Sequence, residues 1–300
     1  MTELQKQVLD LKTEKNALIL AHYYQTMDIQ EIADYVCDSF EMARRAHSAE
    51  QDLLVICGVH FMAESAKILN PNKTVLLPVP DAGCPMADMI IPEDVLALRD
   101  QYPDAAVVCY VNSSAAVKAV SDICCTSSSA ERVVRSLSEK QIIFIPDRNL
   151  GAYIASKLPD KEFIFHKGWC PVHDCIGVGD VLEAGKKYPD AKLLVHPECR
   201  GDILERADFI GSTSEIINFA MDSIYAEFII GTELGVVEYL VELAPDKRFY
   251  PLTDGFICDD MKKTHLSDVL YSLESGQYEM KLSPEEINAA RRSLERMVAV

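Results

Sequence analysis

The chain has 300 residues, an apolar fraction of 49% and a formal net charge of −18, with 29 Lys+Arg against 47 Asp+Glu. This length suffices for two or three compact units with cores of their own. No basic stripe and no run of 18 apolar residues occurs, so neither a nucleic-acid partner nor a membrane partner is expected.

The opening MTELQKQVLDLKTEK predicts an amphipathic helix over 3–15. It has neither the basic start nor the apolar stretch of a secretory signal, and the cytoplasm is the expected location. ALILAHYY (17–24) reads as a buried strand ending in polar groups. Residues 28–50 read as helical, with a break near Cys37-Asp38-Ser39. LLVICG (53–58) predicts a strand, VHFMAESAKIL a helix, and TVLLPV (74–79) a strand running into the loop DAGCPMAD. Short strands separated by helices of 10–15 residues are the mark of a parallel sheet. The order then recurs. Strands are predicted at 102–112 and 142–149, and a strand with its cysteine loop at 162–174, with a broken helical stretch over 115–137 and a helix at 150–158. A third round has strand-bearing segments at 188–199, 226–235 and 246–260, with the stretches 201–220 and 236–243 between them. Two further helices are predicted near 265–274 and 284–298.

These rounds are an internal repeat. YPDA occurs at 102–105 and 188–191, and Pro71-Asn72-Lys73, Pro159-Asp160-Lys161 and Pro245-Asp246-Lys247 mark equivalent turns. Each turn precedes a strand that leads to a cysteine: Cys84, then Cys170 86 residues later, then Cys258 after 88 more. An acid followed by a hydroxyl also recurs, as Asp34…Ser39, Asp122…Ser127 and Asp208…Ser212-Thr213. The expected fold is α/β: three similar three-layer αβα units with parallel sheets about a pseudo-threefold axis. The units are 1–86 (completed by helices within 262–300), 87–172 and 173–261, with the active site at their junction.

Ligands of parallel sheets bind beyond the carboxyl ends of the strands. If three such ends share a centre, Cys84, Cys170 and Cys258 meet there. Three thiolates make a soft-metal site. Four cysteines would complete an electron-transfer [4Fe-4S] cluster, whereas three leave one iron open to act as a Lewis acid. Zinc remains the alternative occupant, in an aldolase-like enzyme or a noncatalytic scaffold, and a hydro-lyase acting on another polycarboxylate is a further alternative. The strand ends add His22 and Tyr24, Tyr110 and Asn112, and His196 and Glu198, at equivalent points of the three units. Ser39, Ser127, Ser212 and Thr213 precede helical runs, where hydroxyls either cap the helix or bind a carboxylate or phosphate. No GxGxxG, GxxxxGK[ST] or CxxxCxxC motif is present, which argues against dinucleotide, P-loop and radical chemistry.

ILAHYYQ (19–25), DAGCPMA (81–87), YVNSSAAVKAVSD (110–122), PDRNLG (146–151), GWCPVH (168–173), HPEC (196–199), GSTSEI (211–216), GTELG (231–235) and CDDMKK (258–263) together resemble the quinolinate synthase family over essentially the whole chain. The resemblance implies a three-domain pseudo-symmetric protein with one oxygen-sensitive [4Fe-4S] cluster, held by Cys84, Cys170 and Cys258 with one open iron. It implies condensation of iminoaspartate with dihydroxyacetone phosphate to quinolinate, phosphate and two waters, with functional coupling to an aspartate oxidase. It implies substrate contacts from His22, the phenols Tyr24 and Tyr110, Asn112 and His173, and counts His22 (as a proton donor), Tyr24 and Tyr110 (close to the open iron) among the catalytic groups. It assigns acid–base work to His196 and Glu198, with Glu198 as general base, and anion anchoring to Ser39, Ser127, Ser212 and Thr213.

Overall fold

The computed structural model describes residues 1–300. Twelve strands form three four-stranded sheets, and every pairing within them is parallel. The first sheet holds β1 (Ala17–His22), β2 (Tyr35–Cys37), β3 (Leu53–Cys57) and β4 (Thr74–Leu76), in the order β2-β1-β3-β4. The second holds β5 (Ala106–Tyr110), β6 (Ile123–Cys125), β7 (Gln141–Ile145) and β8 (Glu162–Phe165), ordered β6-β5-β7-β8. The third holds β9 (Lys192–Val195), β10 (Phe209–Ile210), β11 (Glu227–Gly231) and β12 (Arg248–Pro251), ordered β10-β9-β11-β12. One topology is thus used three times. The central strands are buried along nearly their whole length, as continuous apolar runs covered on both faces require.

The recurring sequence features each have a structural task. Asp34, Asp122 and Asp208 stand just before β2, β6 and β10. Their carboxylates accept from the backbone N–H of Ile19, Val107 and Leu193 at 2.8, 2.8 and 2.9 Å. Their own N–H groups donate to the carbonyls of the same three residues. Each edge strand is thereby pinned to its central strand in one register. The lysines of the three proline turns also share a role. Lys73 donates to Ala49 O, Lys161 to Leu137 O at 2.6 Å, and Lys247 to Ala220 O at 2.6 Å. These carbonyls lie at the ends of the helices Ser39–Ser48, Ala130–Ser136 and Thr213–Asp222, where a cation complements the helix dipole. Five helices stop at a residue preceding a proline (Asn70, Tyr102, Leu158, Tyr188 and Ala244), all at φ −129° to −132° and ψ 63° to 71°. The proline ring excludes helical backbone one residue ahead of it.

Three stretches, two of them read as broken helix, contain an edge strand: Tyr35–Cys37 in 28–50, Ile123–Cys125 in 115–137 and Phe209–Ile210 in 201–220. Two or three residues carry no periodicity of their own, and their pairing is supplied by the neighbouring strand and the aspartate. Helices Pro92–Gln101 and Val178–Lys187, which the pattern did not separate, precede the second and third sheets. The loop at Cys170 closes with one helical turn, Pro171–Asp174. Of the two tail helices, Leu266–Ser275 packs on the first helix Glu3–Glu14. The other, Pro284–Ala299, packs against Ala115–Ala119 and β6 as well as His60–Leu69. Ser293 Oγ donates to Lys118 O at 2.9 Å and Arg296 to Asp122 O at 2.8 Å. The last helix therefore joins the first unit to the second rather than completing the first alone. One continuous apolar core takes in the second sheet and one face of the first, a separate core on the other face of the first sheet lies under helices Glu3–Glu14 and Leu266–Ser275, and the third unit has separate cores on the two faces of its sheet.

Candidate active site

The carboxyl ends of all three sheets border one cavity of about 300 Å³. From the first unit it is lined by His22 and Tyr24 after β1, by Ser39, and by Cys84. The second contributes Tyr110 and Asn112 after β5, then Ser127 and Cys170. The turn Pro171–Asp174 contributes His173, and the loops of the third sheet His196, Glu198, Thr213 and Cys258. Ser212 is the one expected residue that does not line it. Ser212 is the N-cap of Thr213–Asp222, its hydroxyl accepting from Glu215 N while the Glu215 carboxylate accepts from Ser212 N. The capping alternative for its hydroxyl is the one adopted.

Each of the three thiols sits over the amides of the turn that follows it: Cys84 over Ala87 and Met86, Cys170 over His173, and Cys258 over Met261 and Asp260. Such N–H clusters favour a negatively charged sulfur or anion. All three thiols line the same cavity. Burial pushes Cys84 up to about 12 and Cys258 up to about 11. It also raises Cys170 well above the usual thiol range, helped by Glu198. Cys175 borders the cavity too, but its thiol donates to Val172 O at 3.2 Å.

Two histidines repeat one local geometry. Tyr24 N–H donates to His22 Nδ1 at 3.2 Å, and Glu198 N–H donates to His196 Nδ1 at 3.3 Å. A backbone amide can only donate, so each Nδ1 carries a lone pair and the neutral ring holds its proton on Nε2. Burial lowers both rings to about 3, with His196 adding to the effect at His22 and His173 at His196. Both are therefore neutral near pH 7. His196 Nε2 lies 3.3 Å from Ser127 Oγ, to which it donates. His173 sits among three partners, with Nδ1 2.8 Å from Glu198 Oε2 and 3.2 Å from Cys170 Sγ, and Nε2 3.0 Å from Thr232 Oγ1.

Burial opposes the charge of Glu198. Hydrogen bonds from His173 and the Tyr110 phenol nonetheless hold its carboxyl below the usual carboxylate range. Burial, together with the Glu198 charge, raises Tyr24 and Tyr110 well above the usual phenol range, so both keep their protons. Tyr24 Oη is 3.1 Å from Thr213 Oγ1 and 2.9 Å from Thr232 Oγ1. Asn112 Oδ1 is buried without a hydrogen-bond partner. Cys170, His173 and Glu198 also bring one ligand atom each within 4.8 Å of one another.

Further contributors stand just beyond β7 and β11. Thr232 binds both Tyr24 and His173, and its only signal is its place one residue beyond β11. Asn149 Nδ2 bridges Asp174 Oδ1 at 2.8 Å and the Glu198 carbonyl at 2.9 Å. Arg148 does not reach the cavity. It pairs with both oxygens of Asp174 at 3.0 and 3.1 Å and lies over the Trp169 ring. Ser214 Oγ donates to Asp38 Oδ2 at 2.5 Å, joining the helix starts of the third and first units.

The chain matches the family described as Quinolinate synthetase A protein over residues 6–299. It is 50% identical to a quinolinate synthase of Caldicellulosiruptor saccharolyticus over 296 residues, covering 99% of this chain and 98% of the relative. Similar agreement holds with quinolinate synthase 2 of Methanosarcina acetivorans, at 49% identity over 98% of this chain and 95% of the relative. The quinolinate synthase of Clostridioides difficile is 47% identical over 97% of this chain and 96% of its own length. A match of this extent, over a cavity where the repeat brings three cysteines together, means that the chain belongs to the quinolinate synthetase A protein family.

Proposed function

We propose that this chain is a quinolinate synthase that condenses iminoaspartate with dihydroxyacetone phosphate to quinolinate, phosphate and two waters. The reaction takes place where three units related by a pseudo-threefold axis meet, namely 1–86 with tail helices from 262–300, 87–172 and 173–261. The observation that carries this reading is the shared cavity of Cys84, Cys170 and Cys258 with His22, Tyr110 and Glu198. The names of relatives 47–50% identical over nearly the whole chain support the same activity.

Three soft donors on separate loops, each over the amides of its own turn, fit a [4Fe-4S] cluster with three thiolate ligands and one open iron. Because burial keeps the free thiols protonated, loading releases protons and strengthens as pH rises. When bound, the cluster supplies a Lewis-acidic iron that eases departure of a hydroxyl as water.

The protein's own groups divide the remaining work. His22 Nε2–H donates to a carboxylate of iminoaspartate. Ser39, Ser127 and Thr213, one hydroxyl from each unit, anchor carboxylate and phosphate oxygens, and Ser212 keeps the start of the Thr213 helix in place. Asn112 Oδ1 accepts a substrate N–H or O–H. Tyr24 and Tyr110 stay protonated and donate to oxygens that gain charge, while His173 holds Glu198 in register. Glu198 takes the C3 proton as iminoaspartate becomes an enamine, and C3 then attacks C1 of the triose as phosphate leaves. A carboxylate held below its usual range is a weak base. The two carboxylates of the substrate, entering the same cavity, raise its proton affinity toward the working range. His196, linked to Ser127, returns protons during isomerisation and ring closure. Iminoaspartate hydrolyses in water, which favours direct supply from an aspartate oxidase.

A second reading has one specific observation behind it. Cys170, His173 and Glu198 lie close enough to hold a single ion such as zinc. Metal, sulfide and product analysis on one anaerobic preparation separates the two. The cluster reading expects about four iron and four sulfide per chain, with quinolinate formed from the two substrates. Zinc without sulfide would install the second reading, and a loaded cluster without quinolinate would overturn the activity. In rapid-quench experiments phosphate should appear before the ring closes, and the reverse order would exclude the sequence of steps given above.

A further inference from the structure

Each cysteine loop is tied at its backbone by a carboxylate that the chemistry above does not use. Asp147 is fully buried at the end of β7. Its Oδ1 accepts from Leu150 N at 2.7 Å, capping the helix Arg148–Lys157, and its Oδ2 accepts from Cys170 N at 3.1 Å. Glu233 repeats this arrangement after β11 and is also fully buried. Its Oε2 accepts from Gly235 N at 2.7 Å at the start of the helix Leu234–Leu243, and its Oε1 accepts from Cys258 N at 3.3 Å. In the first unit the corresponding helix His60–Leu69 starts from Val59, which has no side-chain cap. There the loop is held from across the junction: Asp260 Oδ1, two residues beyond Cys258, accepts from Gly83 N at 3.1 Å.

Helix capping alone does not account for these residues. A serine or asparagine caps as well as a carboxylate and costs less to bury. A carboxylate has a second oxygen, and at Asp147 and Glu233 it goes to the amide of a cysteine. The surroundings are fitted to the same contacts. A Cβ at Gly168 would stand 2.7 Å from Pro146 O, and one at Gly235 would stand 2.5 Å from Tyr23 O and 2.9 Å from Glu233 Oε2. Lys262 Nζ continues the chain of contacts, lying 3.0 Å from Glu233 Oε1 and donating to Tyr24 O at 2.6 Å.

We infer that Asp147, Glu233 and Asp260 are positioning residues for the metal centre, which fix the backbone from which Cys170, Cys258 and Cys84 project. The inference rests on the cluster reading. The arrangement is unequal: Cys170 and Cys258 are held from within their own sheets, whereas the Cys84 loop is held by the third unit.

Asp147→Ser and Glu233→Ser keep a hydroxyl at the helix start but cannot reach the cysteine amide. Asp260→Ala removes the third contact at a position with a side chain 18% exposed. With full chains loaded anaerobically, iron release to a chelator should accelerate about 10- to 100-fold, with a shifted cluster reduction potential. Ser283→Ala, which removes the cap of the last helix far from any cysteine loop, should change neither. Cluster-free chains are tested in parallel by mass-spectrometric alkylation rates. Asp147→Ser should speed Cys170, Glu233→Ser should speed Cys258, and Asp260→Ala should speed Cys84, each selectively. Wild-type release rates and potentials in the loaded variants, or alkylation rising equally at all cysteines, overturn the inference. If the buried variants do not fold, Asp260→Ala decides alone on Cys84. A wild-type chain without iron and sulfide refutes the cluster reading, and the alkylation series then still decides whether the carboxylates hold the loops.

Discussion

Glu198 concentrates the residue-scale chemistry because it stays charged where burial disfavours charge. His173, 2.8 Å away, and the Tyr110 phenol stabilise the carboxylate but not a neutral amide. Glu198→Gln should therefore lower turnover by about 100- to 10,000-fold, with the iron and sulfide content intact. A variant that loses its metal in proportion to its activity would instead mark Glu198 as a ligand. The two buried histidines make a stability prediction with a definite sign. His22 and His196 titrate near 6.5 when unfolded and about 3 when folded, so between these pH values the unfolded chain binds more protons. Above 6.5 the two rings carry no penalty, and as pH falls from 6.5 toward 3 they progressively destabilise the folded chain. Each ring steepens the dependence by about 1.4 kcal/mol per pH unit. Denaturation of cluster-free His196→Gln across pH 7 to 4 should show a shallower slope than the wild type, and an identical slope would exclude a neutral buried ring.

At the scale of elements, the repeat is maintained by a few polar contacts as much as by the apolar strands. The aspartates before β2, β6 and β10 and the turn lysines at 73, 161 and 247 each satisfy backbone groups that a short strand or a helix end leaves open. Lys247 reaches three carbonyls, those of Ala220, Met221 and Ser223, at the end of the helix whose first residue is Thr213. Lys247→Met should cost about 1–3 kcal/mol in chemical denaturation, with little change in turnover of the folded fraction. A loss of affinity for the phosphorylated substrate without a loss of stability would show instead that the lysine acts on the site. These contacts also explain why the edge strands escaped the pattern: two or three residues between two helices show no period, and only the partner strand defines them.

The whole molecule is divided unequally. The first two units share a continuous core, reinforced by the helix Pro284–Ala299, whereas the third has its own cores and meets the first largely through polar contacts, Tyr24 with Thr213 and Thr232 and Asp38 with Ser214, beside the edge-on ring pair of Tyr23 and Tyr239. Polar contacts of this kind part more readily than an apolar core. Substrate binding should thus slow hydrogen exchange most at residues 211–216 and 255–262, and least in β1, β3, β5 and β7. Equal slowing in all three sheets would argue against the third unit as the moving part.

Much of this protein is determined locally and is legible in the chain alone. Apolar runs specify the long strands, residues before proline specify the helix ends, and a period of 86 and 88 residues singles out Cys84, Cys170 and Cys258 from ten cysteines. The positions of His22, Tyr110 and His196 at strand ends follow from the same repeat. Tertiary structure alone decided that the Ser212 hydroxyl caps a helix while Thr213 faces the cavity, that the last helix bridges two units, and that Asp147, Glu233 and Asp260 hold the cysteine loops. The reason is physical. Strand and helix formation answer to neighbours along the chain. The partner of a buried carboxylate or hydroxyl is whichever amide the packing of distant segments brings within 3 Å or so, and no local pattern records that choice.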